Sequence, residues 1–277
     1  MRFGGLSACV AIALATAVLP VAGSENAPAA PVWDLQARPG ATTEHLDPSP
    51  VAGMESLPGM DWAKVYVPKS YDPAKPAPMA LLLHGSGDRG HTMIRAFEQL
   101  AEDRGVILLA PDSLAYSWDI MVAGARLRGV TRVPDWGPDV DRIDSALAKA
   151  FATYVIDPER ISLIGFSDGA GYGLSLGVNN ADLFEAVVAF APGLLMKVNA
   201  AERGRVMLVH GERDDVLPLK PTRDIFAPVL KDLGFDVDLR TFKGGHVMPE
   251  DKRAEAFAWW LDGAKPGQVG GASDTAR

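Results

Sequence analysis

The sequence predicts an α/β domain, a mostly parallel central sheet with helices on both faces. Continuous apolar runs recur at Met79 to Leu83, Val106 to Ala110, Ile161 to Ile164, Ala186 to Phe190 and Val206 to Val209. Strands buried on both faces read this way. Segments with helical spacing alternate with those runs, as a covered parallel sheet requires. The third observation is Gly165-Phe166-Ser167-Asp168-Gly169, which joins the run at Ile161 to a segment beginning at Ala170 that reads as a helix.

Taken in order, Ala63 to Val67 is a strand closed by Pro68, and Met79 to Leu83 is a second strand. Arg95 to Arg104 is an amphipathic helix, and Val106 to Ala110 a strand ended by Pro111-Asp112. Asp139 to Tyr154 is a long helix, because Val140, Ile143, Leu147 and Phe151 recur at helical spacing. The strand at Ile161 and the helix after Ser167 follow, then strands at Ala186 to Phe190 and Val206 to Val209. Lys220 to Leu233, Val237 to Phe242 and Ala254 to Leu261 complete helix, strand and helix. Residues 24–58, rich in Pro, Ala and Gly, are expected to form an extended arm partly draped over the domain at 59–262. The polar, Gly-rich stretch 263–277 reads as a disordered tail.

A chain of 277 residues, 48% hydrophobic, suits one α/β domain with a sizeable core. Its formal charge of −8 argues against nucleic acid or an anionic membrane as a partner. Met1-Arg2, the apolar run Leu6 to Val18 and the small residues of Pro20-Val21-Ala22-Gly23 have the layout of a signal peptide, residues 1–23, cut ahead of Ser24. Export to a bacterial periplasm or the medium is therefore expected, with no membrane span after cleavage. Cys9 is the single cysteine and would leave with that leader. Leu6-Ser7-Ala8-Cys9 has the look of a lipoprotein box, but the apolar stretch follows the cysteine where it should precede it. The mature chain then offers no disulfide, cysteine nucleophile or thiolate zinc site.

The chemistry centres on Ser167. A serine between glycines on a strand-to-helix turn is a nucleophile elbow: the hydroxyl is thrust out above the sheet, beside the free amides that open a helix. A hydroxyl needs a base, and the base needs an orienting acid. Of five histidines, only His210 and His246 follow Ser167. His246 lies in Lys243-Gly244-Gly245-His246-Val247-Met248-Pro249, after a strand, where two glycines allow a tight loop; it is the expected base. His210 stands at a strand end and reads as structural. The acid belongs to the following loop, where Asp214, Asp215 and Glu212 compete. His84-Gly85-Ser86-Gly87-Asp88 follows the second buried strand, and the backbone N–H groups of Ser86 and Asp168 are the expected oxyanion hole. The stretch Ser113 to Pro138, with Trp118, Arg126, Arg128, Arg132 and Trp136, should lie near the site. Trp118 is a candidate for ligand contact, with Tyr172 and Met248 as further core or rim residues of the pocket. This chemistry needs no metal and no cofactor.

His84-Gly85-Ser86-Gly87-Asp88, the elbow at Ser167, the run His210-Gly211-x-x-Asp214-x-x-x-Pro218 and Gly245-His246 together resemble the α/β-hydrolase superfamily. They look most like its phospholipase/carboxylesterase branch, which includes acyl-protein thioesterases. The resemblance spans about Leu81 to Leu261 and implies an α/β-hydrolase fold, with Asp214 as the triad acid. The residue after that acid is commonly proline in the branch; here it is Asp215. The implied activity is that of a serine esterase cleaving a small-molecule or polymeric carboxylic ester through an acyl-enzyme. Secreted polyester depolymerases and feruloyl esterases share the layout. An acyltransferase and a non-catalytic binding protein on the same scaffold are the alternatives. Acyl and alcohol preference and oligomeric state are not written in these motifs.

Overall fold

A computed structural model describes residues 34–40, 51–121, 137–196, 198 and 202–263. The expected leader with Cys9, the tail beyond Gly263, and His45, Arg126, Arg128, Arg132 and Trp136 lie outside them.

The sheet has eight strands in the order β1-β2-β4-β3-β5-β6-β7-β8. They are β1 (Gly53–Leu57), β2 (Met60–Val67), β3 (Ala77–Leu83), β4 (Ile107–Pro111), β5 (Ile156–Phe166), β6 (Ala186–Phe190), β7 (Arg205–Gly211) and β8 (Asp236–Phe242). β1 pairs antiparallel with β2, and β2 antiparallel with β4. Every pair from β4 through β3, β5, β6 and β7 to β8 is parallel. This is the mostly parallel sheet the apolar runs require.

Two apolar layers hold it, and strand alternation divides the residues between them. Leu81 and Leu83 face one layer, with Val140, Ile143 and Leu147 of α2 (Pro138–Thr153) and Leu174 of α3 (Asp168–Asn179). Ala80 and Leu82 face the other, with Ile94 and Phe97 of α1 (Gly90–Arg104) and Phe257 and Trp260 of α6 (Glu250–Asp262). Between β7 and β8 run a short α4 (Leu219–Pro221), a π-helical turn (Thr222–Phe226) and α5 (Ala227–Asp232). Among the described residues no helix is long and apolar enough to cross a membrane.

Several boundaries differ from expectation. Gly53–Leu57, assigned to the arm, is an edge strand; Gly59, at φ 78, turns the chain so that Leu57 meets Met60. Further back, residues 34–40 lie against the domain: Leu35 is buried, its N–H donates to Asn180 Oδ1 (2.9 Å), and the amides of Gln36 and Ala37 both donate to Asp144 Oδ1 (2.8 Å each). α1 starts at Gly90 and not at Arg95, because Asp112 Oδ1, beyond β4, accepts the Gly90 amide at 2.7 Å. Only glycine fits there: a β-carbon on it would lie 2.2 Å from the Ala110 oxygen. α6 likewise begins ahead of Ala254, directly after Pro249.

Candidate active site

Ser167 ends the crossing from β5 to α3 at φ 56, ψ −120, a strained conformation for a residue with a side chain. The flanking glycines make this turn possible. A β-carbon on Gly165 would lie 2.2 Å from the Gly169 oxygen, and one on Gly169 would lie 2.3 Å from the Leu83 oxygen. The Ser167 amide donates to the Phe190 oxygen (2.9 Å), which pins the elbow to the end of β6. Ala191, next along, also has positive φ, at 52. Two adjacent strands are thus each followed by a positive-φ residue.

His246 Nε2 lies 2.8 Å from Ser167 Oγ, and His246 Nδ1 lies 2.7 Å from Asp214 Oδ2. With Nδ1 donating to the carboxylate, Nε2 is left to accept from the serine hydroxyl. Asp214 is buried, and its Oδ1 accepts the amides of Val216 (3.0 Å) and Leu217 (2.8 Å), so its desolvated carboxylate is well supplied with donors. Asp215 is exposed, and Glu212 accepts instead from Thr241 Oγ1 at 3.0 Å. Of the three competing acids, the structure brings Asp214 to the imidazole.

The β7 and β8 loops are zipped together by backbone. Glu212 N–H donates to Phe242 O and Arg213 N–H to Gly244 O, both at 2.9 Å. Gly211 permits this approach, since a β-carbon there would lie 2.3 Å from the Gly245 oxygen. The Phe166 ring packs on the His246 ring with centroids 5.1 Å apart. Gly211 and Phe166 therefore hold the base in place. Both stand inside the sequence motifs, which assign neither of them this role.

Asp168 opens α3, so its amide is among those with no partner inside the helix. Its carboxylate accepts from Ser117 Oγ at 2.7 Å. Gly85 packs against the elbow: a β-carbon on it would lie 3.4 Å from Ser167 Cβ. Ser86, next along, is exposed. The turn carrying Ser86 is fixed by buried His84, whose Nε2 accepts the Ser113 amide (3.0 Å) and whose Nδ1 donates to Gly85 O (2.8 Å). Burial pushes the His84 imidazole below its ordinary range, which keeps it in this neutral bridging form.

The aromatic residues expected at the pocket, Trp118 and Tyr172, lie in the interior. Trp118 is fully buried, lies between the His84 ring (4.9 Å) and the Tyr172 ring (5.2 Å), and donates its indole N–H to His84 O. Tyr172 is fully buried too, and burial raises its phenol well above the usual range. Both belong to the packing beneath the site. Their position follows from the reciprocal caps of Asp119 and Asp139, which draw the chain inward after β4. Asp139 accepts the amides of Leu114 (2.8 Å) and Asp119 (2.7 Å), and Asp119 accepts that of Asp139 (3.0 Å). Met248 is half-buried, packed with Phe166 on the layer that holds α1 and α6.

A strand-order crossover sheet with a Ser-His-Asp constellation beyond its carboxyl ends defines a serine hydrolase of the α/β-hydrolase type. Residues 71–256 match the phospholipase/carboxylesterase family, and the chain belongs to that family of carboxylic ester hydrolases. It is 29% identical over 209 residues to acyl-protein thioesterase 1 of Gibberella zeae, covering 64% of this chain and 87% of the relative. Among solved structures it resembles esterase PE8, with a TM-score of 0.55 and 25% identity over 70% of this chain and 97% of that one. A phospholipase/carboxylesterase from Dyadobacter fermentans shares the fold, with a TM-score of 0.55 and 17% identity over 77% of this chain and all (100%) of that one.

Proposed function

We propose that Ser167, His246 and Asp214 are the catalytic triad of this esterase. His246 Nε2 takes the hydroxyl proton as Ser167 Oγ attacks the ester carbonyl carbon. Asp214 holds the imidazole in the required tautomer and stabilises its cation. The amides of Ser86 and Asp168 receive the developing oxyanion, each worth roughly 3–4 kcal/mol of barrier. His246 then returns the proton to the departing alkoxide, leaving an acyl-enzyme. Water, deprotonated by His246, attacks that ester and releases the acid. The hydrogen-bonded line of 2.7 Å and 2.8 Å through His246 carries this reading.

The substrate is an ester with an apolar acyl group. Four apolar side chains stand exposed on the loops that follow the site strands: Leu114 (54%), Tyr116 (71%), Val216 (61%) and Val247 (52%). Val247 follows the base, Val216 lies just past the acid, and Tyr116 packs on Gly87 within the turn that carries Ser86. Such a rim favours hydrocarbon over a charged acid. A panel of p-nitrophenyl esters of rising acyl length tests both points. Turnover should rise from acetate to longer acyl groups and vanish in Ser167→Ala, together with labelling by a fluorophosphonate. Persistent turnover in that variant would point to another nucleophile; a flat or falling profile would remove the apolar acyl preference.

We also propose that the protein is exported after loss of residues 1–23. The charge, apolar run and small residues of that segment support this. N-terminal sequencing of protein from a periplasmic fraction should begin at Ser24.

A further inference from the structure

His210 is buried beside Asp214, yet the reaction as written gives it no proton to move. Its Nε2 lies 2.7 Å from the Leu217 oxygen and 3.4 Å from Asp214 Oδ2, and its Nδ1 lies 3.0 Å from Thr222 Oγ1. Two acceptor oxygens face Nε2, so Nε2 carries the proton and Nδ1 accepts from the Thr222 hydroxyl. Burial holds the ring below the ordinary imidazole range and so in this neutral form. Asp214 Oδ2 therefore takes the His246 N–H on the site side, with His210 Nε2 3.4 Å beneath it and donating to the Leu217 oxygen. Leu217 closes the arrangement: its amide donates to Asp214 Oδ1 and its carbonyl receives His210.

Thr222 is placed by an unusual piece of backbone. It is fully buried, opens the π-helical turn Thr222–Phe226, and its hydroxyl also lies 3.3 Å from the oxygen of Pro192, in the loop after β6. Single π-helical turns are rare and recur beside functional sites. Here the turn supplies the hydroxyl that sets the His210 ring.

We propose that His210 and Thr222 are positioning residues for the triad acid. Thr222 orients the His210 ring, and His210, by donating to the Leu217 oxygen, holds the clamp whose amide keeps the Asp214 carboxylate in line with His246 Nδ1. The inference rests on the triad reading given above. Without His210 the Leu217 carbonyl loses its donor, the clamp on Asp214 Oδ1 loosens, and the carboxylate can shift relative to His246. Misplacing a catalytic group by about 1 Å costs up to about 100-fold in rate.

The test uses the full chain with p-nitrophenyl butyrate and compares Thr222→Val, Thr222→Ser, His210→Gln and His210→Leu. Thr222→Val keeps the side-chain shape and removes the hydroxyl. It should lower kcat about 10-fold with KM changed by less than about twofold, and should broaden or move the low-field proton resonance of the His246–Asp214 hydrogen bond. Thr222→Ser should recover kcat to within about threefold, and His210→Gln, which keeps a donor near Nε2, should outperform His210→Leu. Full kcat and an unmoved resonance in Thr222→Val would overturn the inference. So would a loss that Thr222→Ser fails to recover and that follows the melting temperature across the set. Ser167→Ala separates this failure from the larger one: turnover there would remove the triad itself, and the inference with it.

Discussion

The indole N–H of Trp118 donates to the backbone oxygen of His84 across 2.9 Å, tying the loop after β4 to the turn that carries Ser86. Trp118→Phe keeps an aromatic ring against Tyr172 and leaves that buried oxygen short of a donor. The expected cost is about 1–3 kcal/mol of stability, read as a lower denaturant midpoint. Because the ring is fully buried, the ranking of p-nitrophenyl esters by acyl length should not change. An altered ranking would return Trp118 to the pocket.

The glycines around the site should divide sharply in tolerance. Gly165→Ala and Gly211→Ala drive a methyl into backbone oxygens at 2.2 Å and 2.3 Å, and each should cost about 3 kcal/mol or more, or yield no folded protein. Gly245→Ala meets nothing nearer than the Arg213 oxygen at 3.6 Å. It should keep the melting temperature within a few degrees and preserve activity. Thermal melts of the three variants decide this. Of the two loop glycines before His246, Gly244 is the crowded one, where a β-carbon would lie 2.4 Å from the Phe242 ring, and Gly245 is not.

Stability should weaken on mild acidification. Burial holds both His84 and His210 below the ordinary imidazole pKa, so the unfolded chain binds protons that the folded one refuses. Their contribution is fully present above about pH 6.5 and is lost as pH falls from there toward the folded values, by at most about 1.4 kcal/mol per pH unit for each ring. Urea unfolding at pH 7.5, 6.5 and 5.5 should show the decline, and His210→Gln should flatten it. An unchanged slope in that variant would mean that His210 takes up no proton on unfolding in this range.

The segment 34–40 should stabilise the fold without assisting chemistry. Asp144→Ala strips the shared acceptor from the Gln36 and Ala37 amides and should cost about 1–3 kcal/mol. α3 separates Ser167 from Asn180, the partner of Leu35, by about 18 Å at the usual helical rise. A lower urea midpoint with unchanged kcat is the expected result, and a fall in kcat at temperatures where the variant is fully folded would contradict it.

Much of the sheet was legible because its inner strands are buried on both faces: Met79 to Leu83 and Ala186 to Phe190 read as strands whatever surrounds them. The edge was not. Gly53–Leu57 buries few of its side chains and is a strand through its pairing with β2, which no local pattern announces. The start of α1 was hidden for the same reason, since its cap, Asp112, arrives from beyond the next strand. At the site, Ser167 and His246 stood out because a strained turn and a strand-end loop leave marks in glycine. Asp214 and Asp215 differ by one position in a charged loop, and only the fold decides which of them turns inward. The depth of Trp118 could not be read from its position in a loop; the paired carboxylates of Asp119 and Asp139 draw that loop into the protein.

The three side chains of the proposed triad come from the ends of β5, β7 and β8, with β6 seated between the first two. Each occupies its place only when four neighbouring strands have docked in the correct register. Ester turnover is therefore a head count of properly assembled molecules, and its recovery during refolding should be among the last signals to return.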